Sequence, residues 1–176
     1  MRKDLLSLAF VILLIVIIAS GTKIQSVDEY YLTHADDITE DSETVALTIR
    51  SDTILDHFDQ LKPELREFVP EDGIILAKTD YVLRPGDTVF DILHRAVRHH
   101  KIQMEFQGAD ANVYNSVYIQ GINYLYEFSC GPLSGWMYKV NGEFPLYGVS
   151  QYELEDGDII EFHYTCDFGR DLGYEF

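Results

Sequence analysis

The spacing of apolar residues after residue 44 predicts most elements of a small mixed domain. Val45, Leu47 and Ile49 alternate with small or polar neighbours, which is typical of a half-buried strand. The spacing from residue 54 to residue 69 is helical but is interrupted by Pro63, so it predicts only one or two short helical turns. Further strands are predicted at residues 74–83, 136–140 and 159–165, with a strand pair at 117–120 and 125–130.

One longer helix is predicted directly after residue 87. Arg84-Pro85-Gly86-Asp87 is typical of a type II turn, and Thr88 with Asp91 three residues later resembles a capping box. Apolar residues then recur at helical spacing, so that one face of the helix packs on the sheet. They are Val89, Ile92, Leu93, Ala96 and Val97.

Two tight turns frame the last part of the chain. Asn141-Gly142 suits the positive φ angles of a type I′ hairpin turn, and Asp156-Gly157 immediately precedes the last predicted strand. Alternation along residues 136–140 leaves open whether Trp136, the one tryptophan, faces the core or solvent.

The amino terminus predicts export. Arg2 and Lys3 precede an apolar run from Leu5 to Ala19, which is the layout of a secretory signal or signal anchor over residues 1–21. The run is short for a spanning helix, and small residues near Gly21 offer a cleavage site. We therefore expect either a protein on the extracytoplasmic face of the cell membrane or, if the segment is cleaved, a secreted one.

The charge of the chain excludes some partners. The formal net charge is −17, and residues 22–44 are acidic and lack a sustained apolar period, so we interpret them as a solvated tether. Nucleic acid and anionic lipid both require basic patches, so the expected membrane contact is through the amino-terminal segment only.

No catalytic motif is present in the sequence. Metalloprotease, phosphate-loop and serine-hydrolase patterns are all missing, and His94, His99 and His100 lack an acidic or cysteine partner at ligand spacing. We therefore expect no enzyme activity, no cofactor and no metal site.

Several segments of the chain resemble a known family. The segments GWMYKVNG, GVSQY and DGDIIEF, with TVALTIRSDTIL upstream, resemble the transcobalamin-like C-terminal domain of Gram-positive bacterial surface proteins. This resemblance implies an α+β, β-grasp-like domain over residues 45–176, with one main helix on a mixed twisted sheet. It also places Cys130 and Cys166 in the same region of the sheet, where they form a disulfide or remain two buried thiols.

The resemblance implies a ligand-binding domain, because in animal cobalamin carriers this β domain closes over one face of the corrinoid. The larger helical domain of those carriers has no counterpart in the sequence, so we expect weak binding of a corrinoid or another planar small molecule. The alternative is a cell-surface protein interaction module that uses the same aromatic residues as anchors. The predicted contact residues are Trp136, Tyr138, Phe144, Tyr147 and Tyr152.

Overall fold

The computed structural model of the chain describes Phe10 and residues 38–175. The predicted signal segment at residues 1–21, apart from Phe10, and the part of the predicted tether before residue 38 lie outside the described residues. Residues 38–43 form an irregular stretch with one turn, in which the Ser42 N–H donates to the Thr39 carbonyl at 3.1 Å. No helix within the described residues is long and apolar enough to cross a membrane.

The described residues form an α+β structure with one main helix and two sheets. The strands are β1 (Thr44–Arg50), β2 (Ile74–Val82), β3 (Met104–Gln107), β4 (Tyr118–Ile122), β5 (Leu125–Tyr126), β6 (Gly135–Val140) and β7 (Ile159–Thr165), and the helix is α1 (Val89–His100).

The larger sheet has the strand order β2-β1-β7-β6. Its two central strands, β1 and β7, are parallel, and each outer strand is antiparallel to its neighbour. The alternation predicted for β7 is confirmed, since Ile160, Phe162 and Tyr164 are buried while Glu161 and His163 between them are only half-buried. A parallel pair in the centre of a sheet suits strands that are buried over most of their length.

The second sheet is small and antiparallel, with the order β3-β4-β5. The strand predicted at residues 125–130 is wrong beyond Tyr126. The Ser129 N–H donates back to the Tyr126 carbonyl at 3.2 Å, and Phe128 adopts a φ of 61°, so the chain turns where the apolar pattern predicts extension.

Helix α1 begins as predicted. The Thr88 hydroxyl accepts from the Asp91 N–H, and the Asp91 carboxylate accepts from the Thr88 N–H at 2.9 Å, which completes a capping box. Its apolar stripe is buried in one core with β1 and β7. Arg95, on the face predicted to be exposed, is largely buried and forms a 2.8 Å ion pair with Asp87.

Short 3-10 turns lie at four places within residues 38–175, and the first two of them border a second, smaller core. They lie at Asp52–His57 and Pro63–Phe68, where the sequence predicts brief helical turns, and at Ala109–Ala111 and Arg170–Leu172. Ile54 and Leu61 pack with Leu125, Tyr164 and both cysteines on the far end of β7. Trp136 of β6 packs against this second core.

Candidate functional site

Strand β6 is an edge strand, and in the described part of the chain the outer backbone groups in its middle are unpaired. The Val140 N–H and carbonyl both pair with Glu143 across the turn at 3.0 Å, whereas the Asn141 N–H pairs with Ile159 of β7 at 2.9 Å. Because hydrogen-bonding direction alternates along a strand, the backbone groups of Trp136 and Tyr138 also point away from β7. Within residues 38–175, those groups have no hydrogen-bond partner.

A cleft of about 330 Å³ lies beside this edge. Its lining is mainly apolar and aromatic, which is typical of a small-molecule site. The residues that line it are Tyr118, Glu127, Phe128, Pro132, Leu133, Ser134, Gly135, Trp136, Met137, Thr165 and Phe168. Gly135 has no side chain and so leaves space in the wall of the cleft. A Cβ at this position would contact only the Glu127 Cβ, at 3.8 Å.

Trp136 forms a wall of the cleft, and two contacts with the rest of the protein hold its side chain in place. Its indole N–H donates to the Leu125 carbonyl at 2.7 Å, and its ring packs edge-on against Tyr164 with 5.3 Å between centroids. The side chain is half-buried, so it contributes to the core and to the cleft at once.

Two exposed phenylalanines line the same cleft in an unfavourable backbone conformation. Phe128 has a φ of 61° and is 58% exposed, and Phe168 has a φ of 52° and is 52% exposed. Bulky residues rarely adopt the left-handed region, and exposed rings gain little burial to offset that cost. Strain of this kind is enriched at binding sites, and Phe128 and Phe168 bring two such residues to one cleft, which makes it the candidate site.

One carboxylate lies in this apolar surrounding. The Tyr118 hydroxyl donates to Glu127 Oε2 at 2.6 Å. Partial burial and then the Glu127 carboxylate raise the pKa of Tyr118 to about 12, so its hydroxyl remains a donor throughout the physiological pH range. The hydrogen bond holds Glu127 at the cleft and leaves its second oxygen available.

The cleft continues along β6 towards two loops, one that contains Ser116 and one that contains Ser150. A smaller depression of about 150 Å³ lies between Tyr118 and Tyr138, and a third of about 340 Å³ adjoins Tyr114 and Leu146. Tyr118 lines all three spaces. The loops are joined by a 3.0 Å hydrogen bond between the Ser116 and Ser150 hydroxyls.

The predicted contact residues are not all brought together. Trp136 and Tyr138 lie along the cleft and its extension. Tyr147 is 64% exposed beside the extension, and its carbonyl accepts from the Tyr138 hydroxyl at 2.5 Å. Phe144 instead packs on Tyr174, with the Lys139 ammonium 4.7 Å from its ring centroid.

Tyr152 lies apart from the cleft. Its ring packs on the main core, and its carbonyl accepts from the Val89 N–H at the start of α1. Burial raises the pKa of its hydroxyl. Tyr152 therefore has a structural role in joining the helix to the loop that precedes β7.

Both cysteines are free thiols in the structure and are buried in the second core. The Cys130 thiol contacts the His57 carbonyl at 3.4 Å. Burial raises the pKa of both thiols, and the Cys130 side chain raises that of Cys166 further. The predicted disulfide is not formed in the structure and stays a prediction.

A second cleft of about 450 Å³ lies next to Cys166. It has a larger polar share than the first cleft and is lined by His57, Asp167 and Asp171 among others, but the Asp171 carboxylate accepts from the Thr165 hydroxyl and the Cys166 N–H. Among the described residues, no group of three or more histidines, cysteines or carboxylates could hold a metal ion.

Residue patterns in the sequence did not reveal Tyr118, Glu127, Phe128, Leu133 and Phe168. They come from four separate segments, and no spacing in the sequence brings them together. The one local signal is an apolar run at residues 125–130 that is too polar at its centre for a buried strand.

Comparison with known proteins gives a match over part of the chain. The model of a family described as a domain of unknown function (DUF4430) matches residues 86–166, which run from the turn before α1 to the end of β7. No curated protein matches the chain. Among solved structures, a "putative metal binding protein" from Ruminococcus gnavus is similar to 70% of this chain and to 96% of its own length. The identity is 11% and the TM-score 0.38, so the likeness decides neither the fold nor the ligand of this chain.

Proposed function

We propose that this chain is an extracytoplasmic binding module whose cleft beside β6 takes a flat, largely apolar small molecule. The observation that carries the proposal is the presence of two exposed phenylalanines, Phe128 and Phe168, in left-handed conformation on a cleft walled by Trp136. Left-handed bulky residues are found most often at functional sites, and a flat apolar ligand would cover the exposed faces of these two rings.

The domain is β-grasp-like under this proposal. Support comes from the parallel central pair of the larger sheet, its antiparallel outer strands and the single helix that packs in one core with it. The family match over residues 86–166 covers the segments GWMYKVNG, GVSQY and DGDIIEF that resemble the transcobalamin-like domain. A corrinoid is therefore the first candidate ligand, and a cleft that is open on one side favours weak binding.

The chain binds its ligand without transforming it. The lining of the cleft includes a single carboxylate, Glu127, and no histidine, cysteine or lysine. Glu127 is hydrogen-bonded to Tyr118, and a tyrosine whose pKa is raised to about 12 is a weak proton donor at neutral pH.

The module is held at the membrane by the apolar segment of residues 1–21, with residues 22–44 as a tether. The support is the basic start and the apolar run of marginal spanning length. Cell fractionation followed by amino-terminal sequencing tests this arrangement. We expect the full chain in the membrane fraction, and mature protein beginning near Thr22 in the medium would replace anchoring with secretion.

Binding is tested with a pair of matched substitutions. Phe128→Asn removes a cleft ring but keeps a residue that tolerates positive φ, and Tyr124→Asn makes the same change at another exposed aromatic, with a φ of 64°, outside the cleft. We expect Phe128→Asn to weaken binding about tenfold, the scale of one buried ring contact, and Tyr124→Asn to leave it unchanged.

The measurement uses the single tryptophan. Trp136 gives the one indole N–H resonance of the protein, and its shift on titration with cobinamide or a planar aromatic probe reports occupation of the cleft. Absence of any shift at millimolar probe, with the protein folded by circular dichroism, would remove the small-molecule proposal.

That negative result would favour a second function, docking of a cell-surface protein. Val113, Tyr114, Leu146 and Tyr147 are exposed on the two joined loops, and Leu146 is 93% exposed. Exposed aromatic and aliphatic side chains grouped on one surface are typical anchors of a protein interface.

A further inference from the structure

We propose that the ligand of the cleft carries a positive charge next to its apolar body and that Glu127 binds this charge. The inference rests on the proposed function, because it concerns the class of molecule that the same cleft selects. Its ligand would be a cationic aromatic amine or a similar organic cation, and a neutral molecule of the same shape would bind less tightly.

Glu127 is a carboxylate without a cation. Its Oε2 accepts from the Tyr118 hydroxyl at 2.6 Å, and it forms no ion pair with another described residue. The other lining residues are uncharged. A carboxylate without a binding role would be expected on the open surface, where water solvates it fully.

The rings around Glu127 also favour a cation. Tyr118, Phe128, Trp136 and Phe168 line the same cleft, and the faces of aromatic rings attract ammonium groups. An anionic ligand would meet both the carboxylate and the electron-rich ring faces. The lining therefore favours a ligand that carries a positive charge.

Desolvation turns this preference into selectivity. A neutral apolar ligand that filled the cleft would remove water from Glu127 and leave the carboxylate without a counter-charge, which is costly. A ligand with an ammonium group would replace that water with an ion pair and a charge-assisted hydrogen bond. The net charge of −17 further raises the local concentration of cations around the protein.

The inference is tested with two probes of nearly equal shape, 2-naphthylmethylamine and 2-naphthylmethanol. Each is titrated into the protein at pH 7, and the Trp136 indole resonance and calorimetry give the dissociation constant. We expect the amine to bind about tenfold more tightly than the alcohol, as one charge-assisted contact predicts. In Glu127→Gln, which keeps an acceptor for Tyr118, the two probes should bind about equally.

A charge-matched control is Glu67→Gln, an exposed carboxylate on the Pro63–Phe68 turn outside the cleft. It changes the net charge by the same amount and should preserve the preference for the amine. Equal binding of both probes to the unmodified protein, or an unchanged preference in Glu127→Gln, would overturn the inference and leave the proposed function standing. If neither probe binds at millimolar concentration, the inference is overturned, and the cobinamide titration decides separately whether the proposed function stands.

Discussion

Trp136 contributes both to the core and to the proposed binding cleft. Its indole N–H is used by the Leu125 carbonyl and its edge packs on Tyr164, while its remaining surface forms a wall of the cleft. Replacing it with alanine would remove a buried hydrogen bond and a ring contact, so such a variant would confuse loss of binding with loss of stability. Phe128 and Glu127 are better probes because their side chains contribute less to the core.

The two cysteines give a prediction at the same scale. In exported protein we expect a bond between Cys130 and Cys166, which are buried in one cluster and close enough to affect each other's pKa. By chain entropy, closing a loop of about 35 residues adds about 3–4 kcal/mol to the free energy of unfolding. Reduction should lower it by that amount.

Thiol titration of unfolded protein that has never been reduced measures the bond directly. No reactive thiol is the expected result, and two reactive thiols would contradict it. A Cys130→Ala, Cys166→Ala double variant is the control, because reduction should leave its stability unchanged.

At the residue scale, the sequence reveals candidates but not their neighbours. The family resemblance predicts Trp136 and Tyr138 as contact residues, whereas the alternation along residues 136–140 does not decide which way Trp136 faces. Phe128 could not, since its left-handed conformation depends on the turn that Ser129 closes with Tyr126 and on the contact of its N–H with the Ser134 carbonyl. Glu127 can be recognised as a site residue only from its hydrogen bond with Tyr118, nine residues away.

At the scale of elements, local chemistry made the turns and the helix predictable. Asn141 and Gly142 both adopt positive φ, as a type I′ turn requires. The Asn141 side chain adds a contact that the motif does not reveal, because it donates to Asp158 at 2.7 Å and accepts from the Ile159 N–H at 2.9 Å. This pair of bonds fixes the start of β7 against the end of β6.

The division into two sheets was not predictable from the same patterns. Strands β3, β4 and β5 are short, and their pairing leaves β6 without an outer neighbour. Which strand pairs with which depends on long-range contacts rather than on residue period. The free edge of β6, and therefore the cleft, is a consequence of that pairing.

At the scale of the whole molecule, charge and burial act on stability in opposite directions as the pH falls. Protonation of histidines reduces the net charge of −17 and relieves repulsion in the compact state. A half-buried histidine that resists protonation has the opposite effect. His163 on β7 is one, because burial lowers its pKa by more than the Glu161 carboxylate raises it.

His163 therefore carries a pH prediction with a definite sign. In the unfolded chain a histidine binds its proton near pH 6.5, whereas folded His163 does so only at lower pH. Between the folded pKa and about pH 6.5, the unfolded state therefore binds more protons than the folded state. The contribution of His163 to stability is lost as the pH falls through about 6.5 and becomes constant below the folded pKa. His100, whose pKa is also lowered by burial, contributes in the same direction.

The measurement is chemical denaturation of the protein and of His163→Gln at several values between about pH 7.5 and 5, above the range in which most carboxylates titrate. Repulsion between surface charges is nearly the same in both proteins, so the difference between their free energies of unfolding isolates the histidine. We expect acidification to destabilise the unmodified protein relative to the variant, and adding His100→Gln to reduce the pH dependence further. A difference that stays constant, or that favours the unmodified protein at low pH, would show that the His163 imidazole is protonated at least as easily in the folded chain as in the unfolded one.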